Sequence, residues 1–85
     1  SMTDLLNETE RSFAASIGWV VCWVWCLDRQ RAVVQVLPTP NSPIKSADML
    51  QRAVSVRAAA GDTFAQRVMT LILNPPPYVK KAKRK

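Results

Sequence analysis

The chain reads as an α+β domain: an N-terminal helix, a two-stranded antiparallel β-hairpin, two C-terminal helices and a disordered basic tail. Three observations predict that order. Residues 3–17 and 46–73 repeat apolar side chains at helical spacing, and residues 19–37 are dominated by the β-branched and aromatic types that suit a pleated, buried surface. Pro38, Pro40 and Pro43 separate the two patterns with a linker, residues 38–43, that regular structure cannot cross. A chain of 85 residues predicts one domain, residues 3–74, with a core small enough that a partner or second copy would add useful burial. Residues 75–85 read as a Pro-rich, then basic, terminus.

Residues 3–17 place Leu5, Leu6, Thr9, Phe13 and Ile17 on one side of a helix. Thr3 is the expected N-cap, Asp4 sits in the first turn where the helix dipole favours negative charge, and Gly18 is the stop. Residues 19–27 (WVVCWVWCL) then hold all three tryptophans and both cysteines. Extended, this stretch directs Trp19, Val21, Trp23, Trp25 and Leu27 one way and Val20, Cys22, Val24 and Cys26 the other, because strand side chains alternate. Residues 31–37 repeat the pattern, with Ala32, Val34 and Val36 on one side and Val33 and Leu37, relieved by Arg31 and Gln35, on the other. Asp28, Arg29 and Gln30 join the strands without the Asn-Gly or Asp-Gly pair of the tightest hairpins. A continuous helix over residues 3–27 is the competing reading, since Gly18 alone interrupts that stretch.

After the linker the period returns to that of a helix. Ser46 and Asp48 mark a start, Met49, Leu50, Ala53, Val54 and Val56 form the stripe, and Gly61 ends a helix over residues 46–60. Asp62 or Thr63 caps a further helix over residues 62–73, carrying Phe64, Ala65, Val68, Met69, Leu71 and Ile72, which residues 75–77 (PPP) terminate.

A hairpin apolar on both faces needs cover on each. Helix 1 packing on one face and the last two helices on the other would make the tryptophans ordinary core. In the alternative, the tryptophan face is an interface formed by Trp19, Val21, Trp23, Trp25, Leu27, Val34 and Val36. Each exposed tryptophan shows on the order of 200 Å², so three together approach the largest apolar patch a monomer tolerates. A homodimer joining hairpins edge to edge, or a protein partner, would hide it. As a membrane span, the apolar run over residues 13–27 gives only ~22 Å of helix against a ~30 Å hydrocarbon core. Peripheral membrane contact through this segment and the lysine tail remains a third reading.

Enzymatic chemistry is not expected. The chain has no histidine, which removes the familiar hydrolytic triads, and its two glycines cannot build a phosphate-binding loop. Cys22 and Cys26 share a strand face about 13 Å apart, too far to bridge, and two thiols cannot complete a zinc site. No metal or cofactor is expected. Reduced thiols, and acidic Asp4, Glu8 and Glu10 ahead of the first apolar run, point to a cytoplasmic or nuclear protein that is not secreted.

The formal charge of +6 is concentrated at one end. Residues 79–85 (VKKAKRK) carry Lys80, Lys81, Lys83, Arg84 and Lys85 with no acid, and leave a body of seven basic and six acidic residues. Such a tail is the candidate nucleic-acid or polyanion contact, because clustered cations displace counterions from phosphates without reading bases. A helix-turn-helix over residues 46–73 is weakly patterned: positions around its turn that should be buried fall on Arg57, Arg67 and Thr70, and Gln66 and Arg67 are its main candidate readers. Thr39-Pro40 and Ser42-Pro43-Ile44-Lys45 resemble proline-directed kinase sites, to which no function is attached.

The order helix, hairpin, helix with a basic terminus resembles that of small phage head-completion proteins, a likeness of element order that carries no residue across. The expected function is a small non-enzymatic interaction module, self-associating or binding a protein through the tryptophan hairpin, with the tail on nucleic acid or another polyanion. A protein-binding inhibitor or a viral or phage-type assembly component without a nucleic-acid role is the alternative, and a peripheral membrane protein is another.

Overall fold

The structure, a computed structural model, describes residues 5–79. Its elements are α1 (Glu8–Ser16), β1 (Trp19–Cys26), β2 (Arg31–Pro38), α2 (Ala47–Ala59) and α3 (Thr63–Leu73). Helix, antiparallel hairpin and two helices follow one another as the residue pattern predicts, and the stretch over residues 19–26 is extended rather than helical. The expected Thr3 cap and the tail from Lys80 onward, including its expected disorder, lie outside the described residues.

The first helix begins later than its apolar spacing suggests. Asn7 caps it: the Asn7 side chain accepts from the Glu10 N–H at 2.8 Å, and the Glu10 carboxylate accepts from the Asn7 N–H at 3.0 Å. This reciprocal box satisfies two donors that a helix start leaves open, so Leu5 and Leu6 precede the helix rather than join it. Leu6 nonetheless reaches the core. At the other end Gly18 adopts φ +88°, a left-handed conformation that turns the chain directly into β1. A Cβ there would also stand 3.0 Å from the Ser42 hydroxyl, so the linker closes over this glycine.

β1 and β2 pair from Trp19 opposite Pro38 to Cys26 opposite Arg31. Residues 27–30 close the hairpin, with Gln30 at φ 51° supplying the left-handed residue that longer hairpin loops need. Ser46 caps α2, whose C-terminus closes by two bonds, Gly61 N–H to Ala58 O and Asp62 N–H to Arg57 O, around Gly61 at φ +101°. Asp62 then caps α3 by accepting from the Ala65 N–H at 3.1 Å, and receives the Arg57 guanidinium at 2.7 Å. One carboxylate therefore fixes the turn between the two helices.

The core is Leu6, Ala14, Trp19, Val36, Leu50, Val54, Ala65 and Val68. Its strand residues come from one face of the hairpin, the face that also carries Val21, Trp23, Val34 and Trp25. An aromatic column holds α1 to the rest: the Phe13 ring meets Phe64 edge-on at 5.0 Å, Phe64 stacks on Trp19 at 5.9 Å, and Arg57 lies 5.6 Å over the Trp19 ring. Since Phe13 and Glu10 both contact α3, α1 shares the side of the hairpin occupied by α2 and α3, instead of covering the opposite face. The reason is local. Gly18 permits a sharp exit, and the Glu10–Arg67 ion pair then draws α1 onto α3.

Candidate nucleic-acid interface

The three tryptophans share one sheet face but not one environment. Trp19 lies under α2 and α3 and is 3% exposed, Trp23 is half-buried, and Trp25 is 59% exposed beyond the helix ends, with Leu27 at the turn 81% exposed. Of the residues expected at an interface, Trp19, Val34 and Val36 are thus interior to the subunit, Val21 and Trp23 are partly covered, and Trp25 and Leu27 stand free. The gradient of exposure has a simple cause: helices of eleven and thirteen residues that bury Trp19 at one end of the hairpin do not reach its turn.

Alternation leaves the opposite sheet face bare. Val20, opposite Leu37, is 42% exposed, and Val24, Val33 and Leu37 are half-buried without belonging to the core. Cys22 lies on this face. Burial pushes its thiol above the ordinary value, which suppresses the thiolate that nucleophilic chemistry requires. Both cysteines are free, and among the described residues no three histidine, cysteine or carboxylate side chains gather as a metal site.

The C-terminal segment returns to the hairpin. Prolines at 75–77 cannot extend α3, and they carry the chain across to the distal half of the sheet, where the Tyr78 ring meets Trp23 at 5.3 Å and 72°. Between this segment and the hairpin lies a groove of about 880 Å³. Trp25, Asp28, Arg29, Gln51 and Tyr78 line it, and it runs along the β2 edge past Arg31 and Gln35, which the register sets on the opposite sheet face from Trp25. The Trp23 indole N–H is buried at its wall without a hydrogen-bond acceptor among the described residues.

The arginines of this end form no ion pair among the described residues. Arg57 is paired with Asp62 and Arg67 with Glu10, whereas neither Arg29 nor Arg31 meets a carboxylate among the described residues. Away from the turn and the terminus, five basic residues (Arg11, Lys45, Arg52, Arg57, Arg67) cancel five acidic ones (Asp4, Glu8, Glu10, Asp48, Asp62). The whole formal charge of +6 therefore belongs to Asp28, Arg29 and Arg31 at the hairpin turn and to Lys80, Lys81, Lys83, Arg84 and Lys85, which follow Tyr78 and Val79 in sequence. Those five tail residues lie outside the described residues, and the Trp23–Tyr78 contact places only the segment up to Val79.

Two weaker sequence signals lose their accessibility. Ser42 is 3% exposed, and its hydroxyl accepts from the Ile44 N–H, so it is no open kinase site in the folded domain. In α3, Gln66 donates to Ala58 O, Arg67 to Glu10, and the Thr70 hydroxyl to Gln66 O, which commits the side chains a helix-turn-helix would aim at bases. Arg29, Arg31 and Tyr78 were not singled out by sequence reasoning. Basic residues flanking the turn next to Trp25 were a visible signal, whereas the return of Tyr78 was not. Among the described residues no helix is long and apolar enough to cross a membrane. Comparison with protein-family models, with curated proteins and with solved structures returns no match to this chain.

Proposed function

We propose that the chain is a small non-enzymatic interaction module in which the hairpin turn and the lysine-rich terminus act together on nucleic acid or a comparable polyanion. The observation that carries this reading is the Trp23–Tyr78 contact. Tyr78, which with Val79 precedes the basic terminus in sequence, thereby lies beside Arg29 and Arg31, neither of which meets a carboxylate among the described residues. Concentrated cations release counterions from a phosphate backbone, and the resulting affinity falls steeply with salt. Deleting residues 79–85 should abolish most salt-sensitive binding to generic DNA or RNA. Replacing Tyr78 by Ala should weaken that binding with no change of charge. Indifference of binding to both changes would reject the proposal.

The bare sheet face favours a second reading, self-association with another copy of the chain. Val20, Val24, Val33 and Leu37 form an apolar strip that the core leaves uncovered. Eight-residue strands at ~3.3 Å per residue, two strands wide, offer a strip of only about 26 by 10 Å. This is well below the roughly 800 Å² per partner of a stable interface, so dimers formed through this face alone are weak. Sedimentation equilibrium of the wild type and of Val24→Lys tests it: association at high concentration that the lysine removes supports the reading, and a monomer throughout eliminates it.

A further inference from the structure

We infer that the groove beside the hairpin turn is a single-stranded nucleic-acid site in which an unpaired base stacks on Trp25. The inference rests on the polyanion reading and narrows its ligand. Four features of the groove converge on that chemistry. Trp25 is 59% exposed, and its cross-strand neighbour is Ala32, too small to cover an indole face. Tyr78, 39% exposed, supplies a second aromatic surface across the groove. Arg29 edges the groove and Arg31 stands at its β2 rim, on the other sheet face from Trp25, and neither is paired with a carboxylate among the described residues. Gln51 adds an amide that can both donate to and accept from base edges. Aromatic platforms set in a cationic groove are how proteins bind single strands without reading sequence, since every base has a π-face.

A duplex would gain less. Its bases are already stacked inside the helix, so it can use Arg29, Arg31 and the lysine terminus but not Trp25. An anionic bilayer fits less well too. Trp25 and Leu27 suit its interfacial region, but a concave groove of about 880 Å³ with the Gln51 amide in its lining would lose water against a flat lipid surface and receive no hydrogen bonds in return.

The test uses the full chain and three probes: a fluorescein-labelled oligothymidine, a DNA duplex of equal length, and vesicles of mixed phosphatidylcholine and phosphatidylserine. Trp25→Ala should weaken oligothymidine binding about 5- to 160-fold, the range expected for one lost stacking contact. Trp25→Phe should restore most of it, and duplex affinity should stay within about twofold of wild type for both variants. Far-ultraviolet circular dichroism identical to wild type shows that the alanine variant is folded. If Trp25→Ala binds the single strand as wild type does, or loses single strand and duplex equally, the stacking inference is overturned while polyanion binding survives. If the wild type binds neither nucleic acid in a salt-dependent way, both fall. Vesicle binding that needs Trp25, with no binding to oligothymidine, overturns the inference in favour of a lipid surface.

Discussion

Glu10 and Arg67 lie 57 residues apart in sequence, and their side chains meet at 2.6 Å. The same carboxylate closes the α1 capping box, so one side chain both starts the first helix and attaches it to the last. The attachment keeps α1 on the side of the hairpin already occupied by α2 and α3. It is why the opposite sheet face stays open.

That double duty has a pH signature. The Arg67 guanidinium, followed by the Asn7 backbone N–H, holds the Glu10 carboxyl below its ordinary value, and the Ala65 N–H and Arg57 do the same for Asp62. Groups whose folded pKa is depressed contribute stability that is fully present above their unfolded values, near 4, and is lost as pH falls through the folded ones. Urea midpoints should therefore be level from about pH 7 to 5 and decline below about pH 4.5. Both pairs are exposed, so the decline is shallow. Glu10→Gln, which keeps an acceptor for the capping box, should cost only a few tenths of a kcal/mol at neutral pH, and Glu10→Ala about 1 kcal/mol. Equal losses in the two variants would show that the capping bond contributes nothing.

Backbone conformation gives opposite expectations at two left-handed positions. Gln30, at φ 51° in the hairpin loop, should gain about 0.5–1 kcal/mol on replacement by Gly, because its side chain is exposed and a Cβ is disfavoured there. Gly18→Ala should lose about 2 kcal/mol or more, since strain at φ +88° is joined by the 3.0 Å approach to the Ser42 hydroxyl. Thermal unfolding of the two variants checks both signs.

The tryptophans should separate by position along the strand. Trp19→Ala removes a ring enclosed by Phe64 and Arg57 and should cost about 3–5 kcal/mol in urea unfolding. Trp25→Ala should stay within about 0.5 kcal/mol of wild type, because most of its surface is exposed among the described residues. Comparable losses at both positions would mean that Trp25 is as enclosed as Trp19.

Much of this architecture was legible from residue pattern. Alternation placed Trp19, Trp23 and Trp25 on one face, and Ser46, Gly61 and Asp62 punctuated the helices as their side-chain chemistry demands. What stayed hidden were relations between distant segments. Apolar spacing ran Leu5 and Leu6 into the first helix because it ignores the competing Asn7–Glu10 capping box. The tryptophan face read as either all core or all interface because the pattern does not say how far a helix extends over a strand, and that reach separates Trp19 from Trp25. The groove needed Tyr78 to return to Trp23, and three prolines announce only that a helix stops.

The central claim is that the hairpin turn and the basic terminus present one polyanion-binding surface. Its most direct test is the salt dependence of oligothymidine affinity for the wild type, for Arg29→Ala/Arg31→Ala and for the chain lacking residues 79–85. At about 0.7 in the log–log slope per neutralised phosphate of a single strand, seven cations give a wild-type slope approaching about −5. Removing the two arginines should lower its magnitude by about 1.4, and removing the terminus should leave only about −1.4. A slope that the double arginine variant leaves unchanged would contradict the account, since the terminus would then be acting without the domain that carries it.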